Sequence, residues 1–136
     1  MSEKTILLKL ITHEKVLYEG NIDELYVQAS DGRIGILPNH VPIISTLNIG
    51  VTKIVANGTA RNVATMGGIL QFAHNTATIL TDNAEFDTDI DVARAREAKR
   101  RAEARLSAKD ENIDSVRAQI ALSKAIARIN ACELKY

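Results

Sequence analysis

The sequence predicts an all-β domain followed by helices: an N-terminal β-sandwich over residues 1–86, then an antiparallel two-helix hairpin over 87–136. Three observations along the 136 residues predict this. All seven glycines and both prolines lie at or before residue 68. Eleven alanines fall between Ala93 and Ala131. Residues 1–90 carry six basic and ten acidic side chains, whereas residues 91–136 carry eleven basic and seven acidic. Turn residues, helix formers and charge sign thus divide the same chain near Phe86–Asp89, although the formal net charge is zero.

The β elements follow in order. Thr5–Thr12 is apolar and β-branched and reads as a strand. Glu24–Ala29 reads as a second, followed by a turn at Ser30-Asp31-Gly32 and a further strand at Arg33–Leu37. Asn39-His40-Val41-Pro42 reads as an irregular loop, since each proline removes a backbone donor. Val51–Ala56 and Thr59–Met66 flank Asn57-Gly58, which tolerates positive φ at both central turn positions and is the clearest hairpin signal in the chain. Ile69–Ala73 and Thr76–Thr81 flank a second turn at His74-Asn75. Gly67-Gly68 marks a bulge or a close backbone approach. Short strands about ten residues apart, separated by turn signals, indicate a sandwich or barrel.

The helical part opens at Thr88-Asp89-Ile90-Asp91, where Thr88 and Asp91 have the spacing of a capping box. Ala95, Ala98, Ala102 and Leu106 share one face of the first helix. Lys109–Asn112 breaks the pattern, and a second helix is expected from about Ile113 to Glu133. Its Ile113, Val116, Ile120, Ala127, Ala131 and Leu134 form one apolar stripe. Leu122, Ile126 and Ile129, with Ala118 and Ala125, form another on nearly the opposite side. Two apolar faces require two partners: the first helix, and either the β-domain or another protein. Helices of this length faced mainly by alanine are marginal alone, so their position on the β-domain is expected to be conditional. Opened end to end, about 45 residues would span about 65 Å.

The basic residues are patterned. Arg94, Arg101 and Arg105 share one edge of the first helix; Arg117, Lys124 and Arg128 share one edge of the second. Such edges beside a common seam could hold a polyanion, with arginine supplying forked contacts. The alternative is a solvated face in which Glu97 pairs with Arg101 and Glu103 with Lys99.

Several functions are disfavoured. A neutral chain lacks the phosphate-neutralising charge of a general nucleic-acid binder, and the basic region has no aromatic residues to stack on bases. One cysteine, Cys132, precludes an internal disulfide and a cysteine-rich zinc site, and reads as a packing residue. His13, His40 and His74 lack metal-ligand spacing. Asp82, Glu85, Asp87, Asp89 and Asp91 lack the Gly and Glu positions of an EF-hand loop and read as a solvated, helix-capping linker. No nucleophile, phosphate-loop or dinucleotide motif occurs. No apolar run reaches membrane-helix length, and the N-terminus has no signal-peptide pattern. A soluble protein in a reducing compartment is the expectation, and His40 is the best loop residue for partner recognition. A free-standing adaptor whose basic hairpin binds acidic proteins also fits these features.

Four segments in one order, GRIGILPNHVP (32–42), MGGIL (66–70), TILTDNAE (78–85) and IDVARAREAKRRAEARL (90–106), give the chain a close resemblance to the epsilon subunit of F-type ATP synthases. The resemblance runs from about Thr5 to the end. It implies a non-catalytic rotor subunit without an active site of its own. The sandwich would lie against the gamma subunit and the membrane ring. The hairpin would either fold onto the sandwich or extend into the catalytic hexamer and inhibit ATP hydrolysis. The subunit would then be peripheral on the cytoplasmic face of a bacterial membrane, with no nucleic-acid partner and no membrane insertion. Through the same resemblance, Pro38, Asn39, His40 and Val41 would contact the ring or gamma, with Arg33 standing where relatives often carry an acidic residue. Ile90-Asp91-Val92-Ala93-Arg94-Ala95 matches a motif with which some bacterial relatives bind ATP as a regulatory ligand. Glu85, Ile90, Asp91, Arg94, Arg101, Lys124 and Arg128 would form that site. Lys124 replaces an arginine of the best ATP binders and cannot fork in the same way. No cofactor would be required.

Overall fold

The computed structural model describes residues 4–108 and 114–133. Among these described residues eight strands precede two helices: β1 (Ile6–Ile11), β2 (Val16–Ile22), β3 (Glu24–Ala29), β4 (Gly32–Ile36), β5 (Ile43–Ala56), β6 (Thr59–Ala73), β7 (Thr76–Leu80), β8 (Ala84–Phe86), α1 (Val92–Ser107) and α2 (Ser115–Glu133). The strands are hydrogen-bonded in the order β2-β1-β7-β6-β5-β3-β4, with β8 paired to β6. Every pairing is antiparallel except β1 with β7.

Alternation along the strands builds the core. Ile6, Leu8 and Leu10 of β1 are buried while their neighbours are partly exposed. Leu25, Val27 and Ala29 of β3 do the same. They meet Ile22, Ile36, Ile54, Val63, Leu70, Phe72, Ala77, Ile79 and Phe86 in one cluster fed by all eight strands. A single sheet can bury residues from all its strands together only by folding over, which makes the sandwich. The long strands β5 and β6 run through both halves. β6 pairs with β7 through Ile69–Ala73 and with β8 through Val63–Thr65.

The expected hairpin turns are present. Asn57, Gly58, His74 and Asn75 all have positive φ, between 52° and 76°, as tight turns joining right-twisted strands require. Gly67-Gly68 is no bulge. The β5–β6 register passes through it unchanged, from Leu47 opposite Gly68 to Ile49 opposite Met66. It is the close approach: a Cβ on Gly68 would lie 2.0 Å from the Leu80 carbonyl oxygen. β2 and β8 were not expected, nor was the start of β5 at Ile43. β2 carries Glu19, Gly20 and Asn21 on a sheet edge, residues that weaken a strand signal.

Residues 87–89 form a single 3₁₀ turn between the sheet and α1. Thr88 is therefore not the helix cap. Asp91 is, its carboxylate accepting from the Ala93 and Arg94 amides at 3.1 and 3.2 Å. At the start of α2, the Asp114 carboxylate accepts from the Arg117 amide. Ile113, Leu134 and the Lys109–Asn112 break lie outside the described residues.

The two helices pack on each other, and α2 also lies across β5 and β6. Both expected partners of α2 are thus found, but the apolar stripes are corrected. Ala127 and Ala131 join Val51, Ala64 and Met66 under the helix, with Ile49 and Ile90 at the margin. Ala95, Ala102, Ala118 and Ala125 are also buried. Val116, Ile120 and Ile126 are exposed instead. Helices closing over the sheet and over each other leave room for methyl groups at the closest points, so alanines take the interior, Leu122 and Ile129 are half-buried, and Val116, Ile120 and Ile126 project outward.

Candidate functional site

A polar cleft lies where β8, α1 and α2 converge. About 320 Å³ is bounded by Glu85, Asp89, Ile90, Asp91, Arg94, Ala95, Ala98, Arg101 and Arg128. That volume is at the lower end of small-ligand sites, roughly 300–1,000 Å³. Glu85 reaches it from the three-residue β8, held in place by pairing to β6. The Asp91 cap starts α1 at a defined point, and the seven-residue spacing then sets Arg94 and Arg101 two turns apart on the same side. Alanines at 95 and 98 form the floor and leave the cleft open. α2 contributes Arg128.

Arg128 donates from Nε and Nη2 to a single oxygen of Glu85, at 3.1 and 2.9 Å. Both side chains are somewhat more than a quarter exposed. This pair ties α2 to the sandwich. Among the described residues, no carboxylate forms an ion pair with Arg94 or Arg101. The Asp91 carboxylate is occupied by the helix cap. The cleft therefore presents two guanidiniums outside any ion pair, Arg101 being within electrostatic reach of Glu97, and a third already paired, an arrangement suited to an anion with several oxygens.

Six of the seven residues expected at a nucleotide site line this cleft: Glu85, Ile90, Asp91, Arg94, Arg101 and Arg128. Lys124 does not line it, and neither do Arg105 and Arg117. Sequence spacing alone missed Asp89. The solvated-face reading holds elsewhere on the helices with different partners. Glu97 pairs with Arg100 rather than Arg101, through bonds of 3.1 and 2.5 Å. That contact lowers the Glu97 carboxyl below its ordinary range and raises Arg100. Arg96 pairs with Glu133 across the hairpin.

The proline loop forms a second surface. His40 closes a turn by donating its amide to the Leu37 carbonyl. Its Nδ1 lies 2.7 Å from the Val41 carbonyl oxygen, and its ring stands edge-on to Phe72. Asn39, at φ 70°, donates its amide to the Asn75 side chain at 2.6 Å, and the Asn75 side chain donates back to Asn39 Oδ1 at 3.2 Å. The loop is thus fastened to the neighbouring β-turn while Leu37, Val41 and Ile44 face solvent. Pro38 is partly buried. Arg33 is not gathered into this turn. From β4 its Nη1 reaches the Val51 carbonyl at 3.4 Å and its guanidinium lies over the Tyr26 ring.

Both parts of the chain match the same kind of protein. Residues 5–87 match the family described as ATP synthase, Delta/Epsilon chain, beta-sandwich domain, and residues 88–133 match its long alpha-helix domain. The chain belongs to the delta/epsilon family of ATP synthase subunits. Within it, the chain is 40% identical over 134 residues to the ATP synthase epsilon chain of Syntrophomonas wolfei, covering 98% of each. It is 45% identical over 125 residues to that of Symbiobacterium thermophilum, covering 91% of this chain and 90% of the other. Among solved structures, a chain of the Euglena gracilis mitochondrial ATP synthase OSCP/F1/c-ring assembly shares the fold. It has a TM-score of 0.84 at 19% identity, over 93% of this chain and 81% of that one. No described helix is long and apolar enough to cross a membrane.

Proposed function

We propose that this chain is a non-catalytic central-stalk subunit of an F-type ATP synthase, and that its hairpin is a nucleotide-sensitive brake. The sandwich would join the gamma subunit to the membrane ring at the cytoplasmic face during proton-driven synthesis. The loop of Pro38, Asn39, His40 and Val41 would be one contact. The docked hairpin leaves rotation free. Undocked, it would extend toward the catalytic hexamer and present its basic side chains to acidic surfaces there, restraining ATP hydrolysis.

The observation that supports the brake best is the cleft itself. Its walls come from the sandwich and from both helices, so an anion bound there exists only with the docked hairpin. ATP with dissociation constant Kd would stabilise docking by RT ln(1 + [ATP]/Kd), about 2.7 kcal/mol at a hundredfold excess over Kd. Arg94 and Arg101 would take the phosphates, and Arg128 would add its charge while remaining linked to Glu85.

Removing the chain after Asp87 and assaying the reassembled complex tests the brake. Hydrolysis is expected to rise and to lose its dependence on ATP history; unchanged hydrolysis rejects the brake. Titration calorimetry of the full chain with ATP tests the site. Heat is expected from the native chain and not from Arg94→Ala, and equal heats from both remove Arg94 from the site.

A further inference from the structure

The hairpin joins the sandwich through Phe86–Asp91, and two consecutive residues of β6 hold this pivot. Arg61 donates from Nη2 to Thr88 Oγ1 at 3.0 Å. Its guanidinium lies 3.8 Å from the Asp87 carboxylate and 4.1 Å from the centre of the Phe86 ring. One cation thus touches three successive linker residues. Its neighbour Asn62 donates its amide to Asp87 Oδ2 at 3.3 Å. Its side-chain amide reaches across to the Ala131 carbonyl, also at 3.3 Å. In the last turn of α2, the Cys132 thiol points at the Asp87 carbonyl, with sulfur and oxygen 3.7 Å apart. The far end of the hairpin therefore returns to the pivot from which the hairpin departs.

We propose that Arg61 and Asp87 form a clasp that sets how firmly the whole hairpin docks, with Arg61 as a positioning residue outside the lining of the anion cleft. Asp87 is the shared member. Its carboxylate faces Arg61 and Asn62, and its carbonyl faces α2. Holding it in the 3₁₀ turn keeps the carbonyl where Cys132 meets it and keeps Ala131 within reach of Asn62. Releasing Arg61 frees Thr88 and one side of Asp87 together, so pivot and tip loosen as one unit. Arg61 is absent from the cleft lining, so the clasp works without any bound anion and in the isolated chain. It stands whether or not the braking role does.

Cys132 is a native reporter of this contact. Cys132 is exposed rather than packed away, but partial desolvation and the Asp87 charge hold its thiol above the ordinary range, so losing the contact leaves more reactive thiolate. The experiment uses the full chain without nucleotide. It measures the rate at which dithiobis(nitrobenzoate) labels Cys132, together with amide exchange in α1, β1 and β7. Arg61→Ala is expected to raise α1 exchange roughly tenfold, the equivalent of about 1.4 kcal/mol, and to raise the labelling rate, while β1 and β7 exchange as before. Asp87→Asn retains an acceptor for the Asn62 amide but loses the charge, and should give a smaller increase. In the double variant the effects should be less than additive, as expected for residues in contact. Unchanged labelling and α1 exchange in Arg61→Ala overturn the proposal. So does equal acceleration of the sheet and α1, which would make Arg61 an ordinary buttress of the sandwich. Fully additive effects would remove the coupling between Arg61 and Asp87.

Discussion

Replacing Ala127 by leucine probes how the hairpin is held. Ala127 is 3% exposed and meets Val51, Ala64 and Met66 of the sheet. Among the described residues of α2, Ala131 alone accompanies it as a buried member of that cluster. At about 0.8 kcal/mol per buried carbon, the two methyl groups contribute on the order of 1.6 kcal/mol, to which the covering of Val51 and Met66 adds. A leucine at 127 has no space to enter, and overpacking costs about 1–3 kcal/mol. Cost and docking energy are thus comparable. The least costly relief is for α2 to lift, because the sandwich has its own separate core. The docking equilibrium should fall by roughly 5- to 150-fold. Amide exchange of the isolated chain reads this directly: amides of α1 and α2 should accelerate, and those of β5 and β6 facing away from the helix should not. Ile120→Ala, at a side chain 44% exposed, should leave both sets within about twofold, since surface changes stay within about 0.5 kcal/mol. If sheet amides accelerate together with the helices in Ala127→Leu, the hairpin is an integral part of one cooperative unit and the reasoning fails.

Gly68→Ala should damage the sandwich itself. Its φ of 123° and the 2.0 Å approach to the Leu80 carbonyl allow no Cβ, and a cost of about 3 kcal/mol should lower the urea midpoint by roughly 1–2 M; an unchanged midpoint would show that β6 and β7 separate freely there. The raised Cys132 pKa gives a pH test. A folded-state value above the unfolded one favours the neutral thiol, so its stabilisation is present below the unfolded pKa and is lost as pH rises through the folded one. Iodoacetamide alkylation in the folded chain should reach half-maximal rate at higher pH than in the urea-unfolded chain, and coincident profiles would contradict the contact with Asp87.

The limits of sequence reading follow from what each signal reports. Asn57-Gly58 and His74-Asn75 were legible because a tight turn depends on local φ, which those residues declare. Glu24–Ala29 was legible because one face is buried and its alternation is regular. The continuity of β6 was hidden because Gly67-Gly68 looks the same whether it breaks a strand or lets another backbone approach. β8 has three residues, too few for a period. The cap shifted from Thr88 to Asp91 because the intervening 3₁₀ turn is fastened by Arg61 and Asn62, residues about 25 positions away. The α2 stripes were found by period, yet period does not say that a close approach selects alanine over isoleucine. The cleft was more accessible, since Arg94 and Arg101 are placed by helix geometry alone. Arg128 was marked by its place on the basic edge of the second helix, whereas Glu85 was linked to it only through family resemblance. Lys124 lies on the arginine edge by angle but outside the cleft in space.

β6 has a mechanical consequence. Its 15 residues make a spar about 50 Å long at roughly 3.3 Å per residue. One end abuts the turn whose Asn75 is latched to the proline loop, and the other carries Arg61 and Asn62. Neighbouring strands brace it along most of its length. The proline loop and the hairpin's mooring are thus fastened to opposite ends of a single strand.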